Sequence, residues 1–173
     1  MDITTSEEFE SVVMDSLSGV IDDIIDNITK ENEDLIDSIV YAAGSPNFYE
    51  RQVDGQNFKS AWDSENKRTK SNEIDGKFFY EPKNLSLDKS KFVHGSEYNG
   101  YSSDVRKVLA DIIYEGLSGD LFGEDGYWRE PRDAWTPLIK KIEENFDKWV
   151  ISAFNKHGFE CRRSTTGQVL FWK

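Results

Sequence analysis

The side chains that could do chemistry in this chain are few and scattered. His94 and His157 are its histidines and Cys161 its single cysteine. Zinc sites are built from ligands at short, fixed spacings, and no HExxH, CxxC or paired-histidine pattern is present. His157 reads as a polar residue near a helix C-terminus, where its charge would suit the helix dipole. His94, in a loop, reads as structural or solvated. Cys161 beside Arg162 and Arg163 could in principle form a thiolate nucleophile, but an inert thiol is the expectation. Neither GxxxxGK[ST] nor GxGxxG occurs. Gly116, Gly119, Gly123 and Gly126 recur at three- and four-residue steps, but in an acidic loop that would repel phosphate. Asp120, Glu124 and Asp125 lack the alternation of an EF-hand and read as a solvated turn. Carboxylate pairs of the glycosidase kind can be drawn anywhere in so acidic a chain and therefore specify nothing. The residues call for no catalytic site, no metal and no cofactor.

The elements that would position these groups begin with a long amphipathic segment. Phe9, Val12, Val13, Leu17, Val20, Ile21, Ile24, Ile25 and Ile28 fall on one face of a 3.6-residue helix. Thr5 followed by Glu8 satisfies the capping-box pattern at its start. The stripe resumes at Leu35, Ile36, Ile39 and Val40 after the polar run 29–34, so one bent helix or two helices both fit. Gly44-Ser45-Pro46 is the expected stop. Phe78-Phe79-Tyr80 predicts a short strand ended by Pro82, with Asp75-Gly76 as the hairpin turn before it. The polar stretch from Trp62 to Ile74 predicts an exposed loop or flap, and Gly95 to Ser103 another loop. Val105, Val108, Leu109, Ile112 and Ile113 predict a second helix stopped by Gly116. Thr136-Pro137 predicts the start of a third, with Thr136 as N-cap, an apolar face from Leu138 to Phe154, and Gly158 as its end. Val169 to Trp172 predicts a final strand after the Thr166-Gly167 turn. This order of elements points to an α+β fold: a long N-terminal amphipathic helix, a small antiparallel sheet, two further helices and a C-terminal strand.

With 173 residues, 37% hydrophobic and 13% aromatic, the chain can bury one core and is expected to form a single domain over 1–173. Within it we distinguish an acidic helical segment, 1–45, from an α+β body, 46–173, with exposed loops near 62–74 and 117–132. The charge is unevenly distributed. Up to Ser45 there are 12 acids against Lys30 alone, so this segment carries −11 of the total −12. Such asymmetry speaks of the use of a surface. The acidic balance argues against attraction to nucleic-acid backbone, which needs clustered Lys and Arg. The opening residues predict no secretory leader, no apolar run reaches the roughly 20 residues that cross a bilayer, and one cysteine allows no internal disulfide. A soluble protein of a reduced compartment is the expectation.

Three stretches resemble the small head–tail joining (tail-completion, neck) proteins of tailed bacteriophages. The first is Phe48-Tyr49-Glu50-Arg51 followed by Gly55 to Trp62, with Phe58 and Ser60 inside it; the family shows Tyr-x-Arg-Thr-Gly and a Ser-containing strand start. The second is Leu109-Ala110-Asp111-Ile112-Ile113-Tyr114-Glu115-Gly116, similar to the family's Leu-Ala-x-Ile-Ile-x-x-Gly helix end. The third is Arg129 to Pro137, similar to its Pro-Arg-aromatic loop leading into the last helix. Gln52-Val53-Asp54 replaces the tight Arg-Thr-Gly link, and 159–173 has no counterpart in the family pattern. The resemblance implies a non-enzymatic virion protein, assembled in the host cytoplasm. It would be a homo-oligomeric neck ring between portal and tail, with other neck, portal or tail proteins as partners. DNA would pass through the ring without specific binding, and no membrane is involved.

The residues themselves support candidate interfaces under that reading. Arg51 beside Tyr49 offers a planar multi-donor group that would bridge neighbouring subunits or, equally, form an internal salt bridge. Trp62, Trp128, Arg129, Arg132 and Trp135 are residue types rich in binding hot spots, although core packing is the expected fate of at least one of Trp128 and Trp135. Asp15, Asp22, Asp23 and Asp26 are candidates to face the channel and repel DNA, or else form a plain solvated face. The alternative function is an acidic inhibitor or DNA mimic that displays these carboxylates to a basic partner. A virion-associated hydrolase working through carboxylates is a weaker third.

Overall fold

The computed structural model describes residues 5–42, 57–85, 107, 109–116, 130–164 and 169–172. The fold is α+β, with element order α1 (Ser6–Leu35), β1 (Trp62–Lys70), β2 (Glu73–Tyr80), α2 (Leu109–Glu115), α3 (Trp135–Lys156), β3 (Glu160–Arg163) and β4 (Val169–Trp172). The strands form two two-stranded sheets, β1-β2 and β3-β4.

Helix α1 starts at the expected capping box. Glu8 N–H donates to Thr5 Oγ1 at 3.1 Å, and Thr5 N–H donates back to Glu8 Oε2 at 3.0 Å. The polar run 29–34 does not break the helix, which continues to Leu35 and ends in a π-helical turn, Ile36–Tyr41. Its 30 α-helical residues span about 45 Å. The expected stop at 44–46 lies outside the described residues. Asn32, inside the polar run, is buried because it sits on the same side as Leu35 and Ile36. Phe9 and Val12, which the stripe assigns to the buried face, are exposed.

Two compact units are distinguishable. One comprises Met1–Lys30, Ser64–Phe78 and Lys140–Lys173. Its core is Val20, Ile24 and Ala153, with Ile28, Val150, Phe154 and Phe159 packed on them. Helix α3 ends here at Gly158, whose φ of 84° is the left-handed conformation that glycine adopts without penalty. Gly158 N–H donates to Asn155 O and Phe159 N–H to Phe154 O, a Schellman closure. Its usual apolar contact is present as the edge-on pair Phe154–Phe159, 5.6 Å between ring centroids. Asn155 then fixes the next strand. Its Oδ1 accepts from Cys161 N–H at 3.0 Å and its Nδ2 donates to Cys161 O at 2.9 Å. Strand β3 pairs antiparallel with β4, from Glu160 opposite Trp172 to Arg163 opposite Val169. The expected C-terminal strand is thus present; its expected turn lies outside the described residues.

The segment 62–74 corrects the loop expectation. It forms β1 and the beginning of β2, with the turn at Ser71-Asn72 and not at Asp75-Gly76. Its exposure holds, since most of β1 faces solvent. The strand was illegible because side-chain hydrogen bonds hold it in place of an apolar alternation. Asn66 Nδ2 lies 2.8 Å from Ser18 O and 2.7 Å from Asp22 Oδ1, and Arg68 pairs with Glu10. Gly76 serves close approach instead of a turn: a Cβ there would sit 2.6 Å from Ile21 Cγ2.

The second unit comprises Glu31–Asp63 and Phe79–Ile139. Ile36, Val40, Ala61, Leu85, Ile113, Ala134 and Leu138 are buried in it. Glu81 N–H donates to Ala61 O, closing the base of the β1-β2 hairpin. Helix α2 stops at Gly116, as expected, with φ 76°. Helix α3 is capped by Asp133, not Thr136: Asp133 Oδ1 accepts from Trp135 N–H at 2.9 Å and Thr136 N–H at 3.0 Å. Burial disfavours the charged Asp133, but the hydrogen bonds from Thr136 and Trp135 outweigh it and leave the carboxyl below its ordinary range.

Candidate functional site

Parts of all three family-like stretches meet in one aromatic cluster. The 3₁₀ turn Lys59–Ala61 delivers Phe58 and Trp62 from the first stretch. It is organised by Asn57, whose Oδ1 accepts from Lys59 N–H at 2.9 Å. Outside contacts anchor the turn: Phe58 N–H donates to Tyr41 Oη at 3.1 Å, and Lys59 pairs with Asp37 at 2.9 Å. Helix α2 supplies Tyr114 from the second stretch, and the start of α3 supplies Trp135 from the third. Trp62 stacks on Trp135 with centroids 5.3 Å apart and planes at 15°, and on Tyr114 at 6.2 Å and 21°. Tyr80 meets Trp62 edge-on at 5.5 Å, and Phe58 meets Tyr114 at 5.7 Å. Burial pushes the Tyr114 phenol far above its ordinary range, so it stays neutral.

Arg132, expected at an interface, is buried at 9% exposure. Its N–H donates to Ile113 O at 2.9 Å, and its Nη1 lies 3.5 Å from Val40 O. It therefore touches the end of the π-helical turn and α2 within its own unit. Trp62 is half-buried and Trp135 is 38% exposed, which makes Trp135 the member of the cluster most open to another surface. Tyr49, Arg51, Trp128 and Arg129 lie outside the described residues, as do His94, Asp120, Glu124 and Asp125.

The acidic candidates divide into two pairs. Asp23 binds Lys156 Nζ at 2.6 Å and His157 Nε2 at 3.0 Å. The Lys156 ammonium holds the Asp23 carboxyl below the ordinary range; partial burial opposes this and His157 reinforces it. The contact depends on Gly19, because a Cβ there would lie 2.3 Å from His157 Cε1. Asp22 accepts from Asn66. Asp22 is nonetheless exposed, as are Asp15 and Asp26. Asp26 and Lys30 of α1 and Trp149, Ser152 and Lys156 of α3 border an open depression of about 270 Å³, below the volume of enclosed ligand sites.

A scan against family models and searches of curated proteins and of solved structures find no match.

Among the described residues no group of three or more His, Cys, Asp or Glu is placed to hold a metal ion. No helix among them is long and apolar enough to cross a membrane. Cys161 is buried, and burial raises its thiol pKa, away from the thiolate that nucleophilic attack requires. Sequence reasoning did not single out Gly19, Asn66 or Asn155. Gly19 inside an apolar helical stripe was the available signal, since glycine there costs about 1 kcal/mol of helix propensity without a packing reason.

Proposed function

We propose that this protein is a non-enzymatic structural component of a tailed-phage virion, one subunit of a neck ring that joins the portal to the tail around the DNA channel. The observation that supports this reading is the convergence of the three family-like stretches. Phe58 and Trp62, Tyr114, and Trp135 come from segments far apart in the chain and pack into one cluster. Trp135 is the exposed edge of that cluster, and a ring requires such a patch to contact a different surface on the next copy. Asp15, Asp22 and Asp26 are the exposed members of the acidic set, so they are the ones available to repel passing DNA.

The test is deletion of the coding gene from the phage genome that carries it. Negative-stain microscopy should show DNA-filled heads and separate, complete tails, with joining restored by the gene supplied in trans. Normal yields of intact, infectious particles would overturn the reading.

A further inference from the structure

We draw no further inference here: the strongest candidate, the exposed apolar surface that Trp135 and Ile139 form at the start of α3, carries nothing because no feature of the described residues shows what covers it.

Discussion

The imidazole of His157 occupies the space that a side chain at position 19 would fill. Gly19 lies inside α1, one turn before Asp23, and a Cβ on it would come within 2.7 Å of His157 Nδ1 and 2.3 Å of Cε1. That vacancy lets the ring reach Asp23 Oδ2 at 3.0 Å while Lys156 holds the other oxygen at 2.6 Å. The residue after α3 is thereby fastened to α1, just where the Schellman closure turns the chain into β3.

Two opposing effects bear on Gly19→Ala. Alanine favours the helix by about 1 kcal/mol. The ring, however, must leave Asp23, and overpacking of this kind costs about 1–3 kcal/mol. The substitution should lower unfolding stability by about 1 kcal/mol in urea denaturation. In a His157→Ala background the clash is gone and the same change should raise stability. A stabilising effect in both backgrounds would show that the ring does not sit against Gly19.

The Asp23 contacts make stability depend on pH in a set direction. A carboxyl held below its unfolded pKa contributes stability above the ordinary carboxylate range. That contribution is lost as pH falls through the folded value. Lys156 is mostly exposed, which limits the contribution to about 1 kcal/mol at neutral pH. Asp23→Asn should therefore lower the Tm at pH 7, and the gap from wild type should close on acidification below the carboxylate range. An unchanged gap at low pH would rule out the ionised Asp23 as its source.

The hairpin depends on an absent side chain in the same way. Gly76→Val would drive atoms into Ile21, whose Cγ2 would lie 2.6 Å from the new Cβ, with Ile25 Cδ1 at 3.5 Å. Its cost should be about 1–3 kcal/mol, and amide exchange should accelerate through β1 and β2 while α3 keeps its protection. Uniform acceleration would mean that the hairpin is not separately docked on α1.

Within the aromatic cluster, Trp62 and Trp135 should separate folding from assembly. Trp62 contacts four aromatic rings, so Trp62→Ala should cost about 3 kcal/mol and abolish much of the near-ultraviolet circular dichroism. Trp135 is partly exposed, and Trp135→Ala should cost about 1 kcal/mol and leave the far-ultraviolet spectrum intact. Under the proposed ring, this second variant should nevertheless fail to restore head–tail joining in the deletion phage. Full restoration would remove Trp135 from the interface.

Much of the fold follows from local pattern alone. Thr5 and Glu8 specify the start of α1, because a capping box needs only neighbouring residues. Gly116 and Gly158 specify the ends of α2 and α3, because positive φ carries little strain for glycine. Asp133 as the cap of α3 was readable in principle but hidden by Thr136-Pro137, a stronger-looking signal that begins three residues past it. The aromatic residues of the three family-like stretches were visible as residue types, although their convergence was not.

What the sequence by itself determined was the α+β class, the long acidic helix and its apolar stripe from Val20 to Val40, since these rest on 3.6-residue periodicity and on capping within a few residues. The tertiary structure alone decided that 62–70 is a strand, that Gly19 and Gly76 are vacancies for His157 and for Ile21, and that Asp22 and Asp23 are engaged within the protein. Each of these depends on which distant atom arrives at a site, and periodicity along one element carries no information about that.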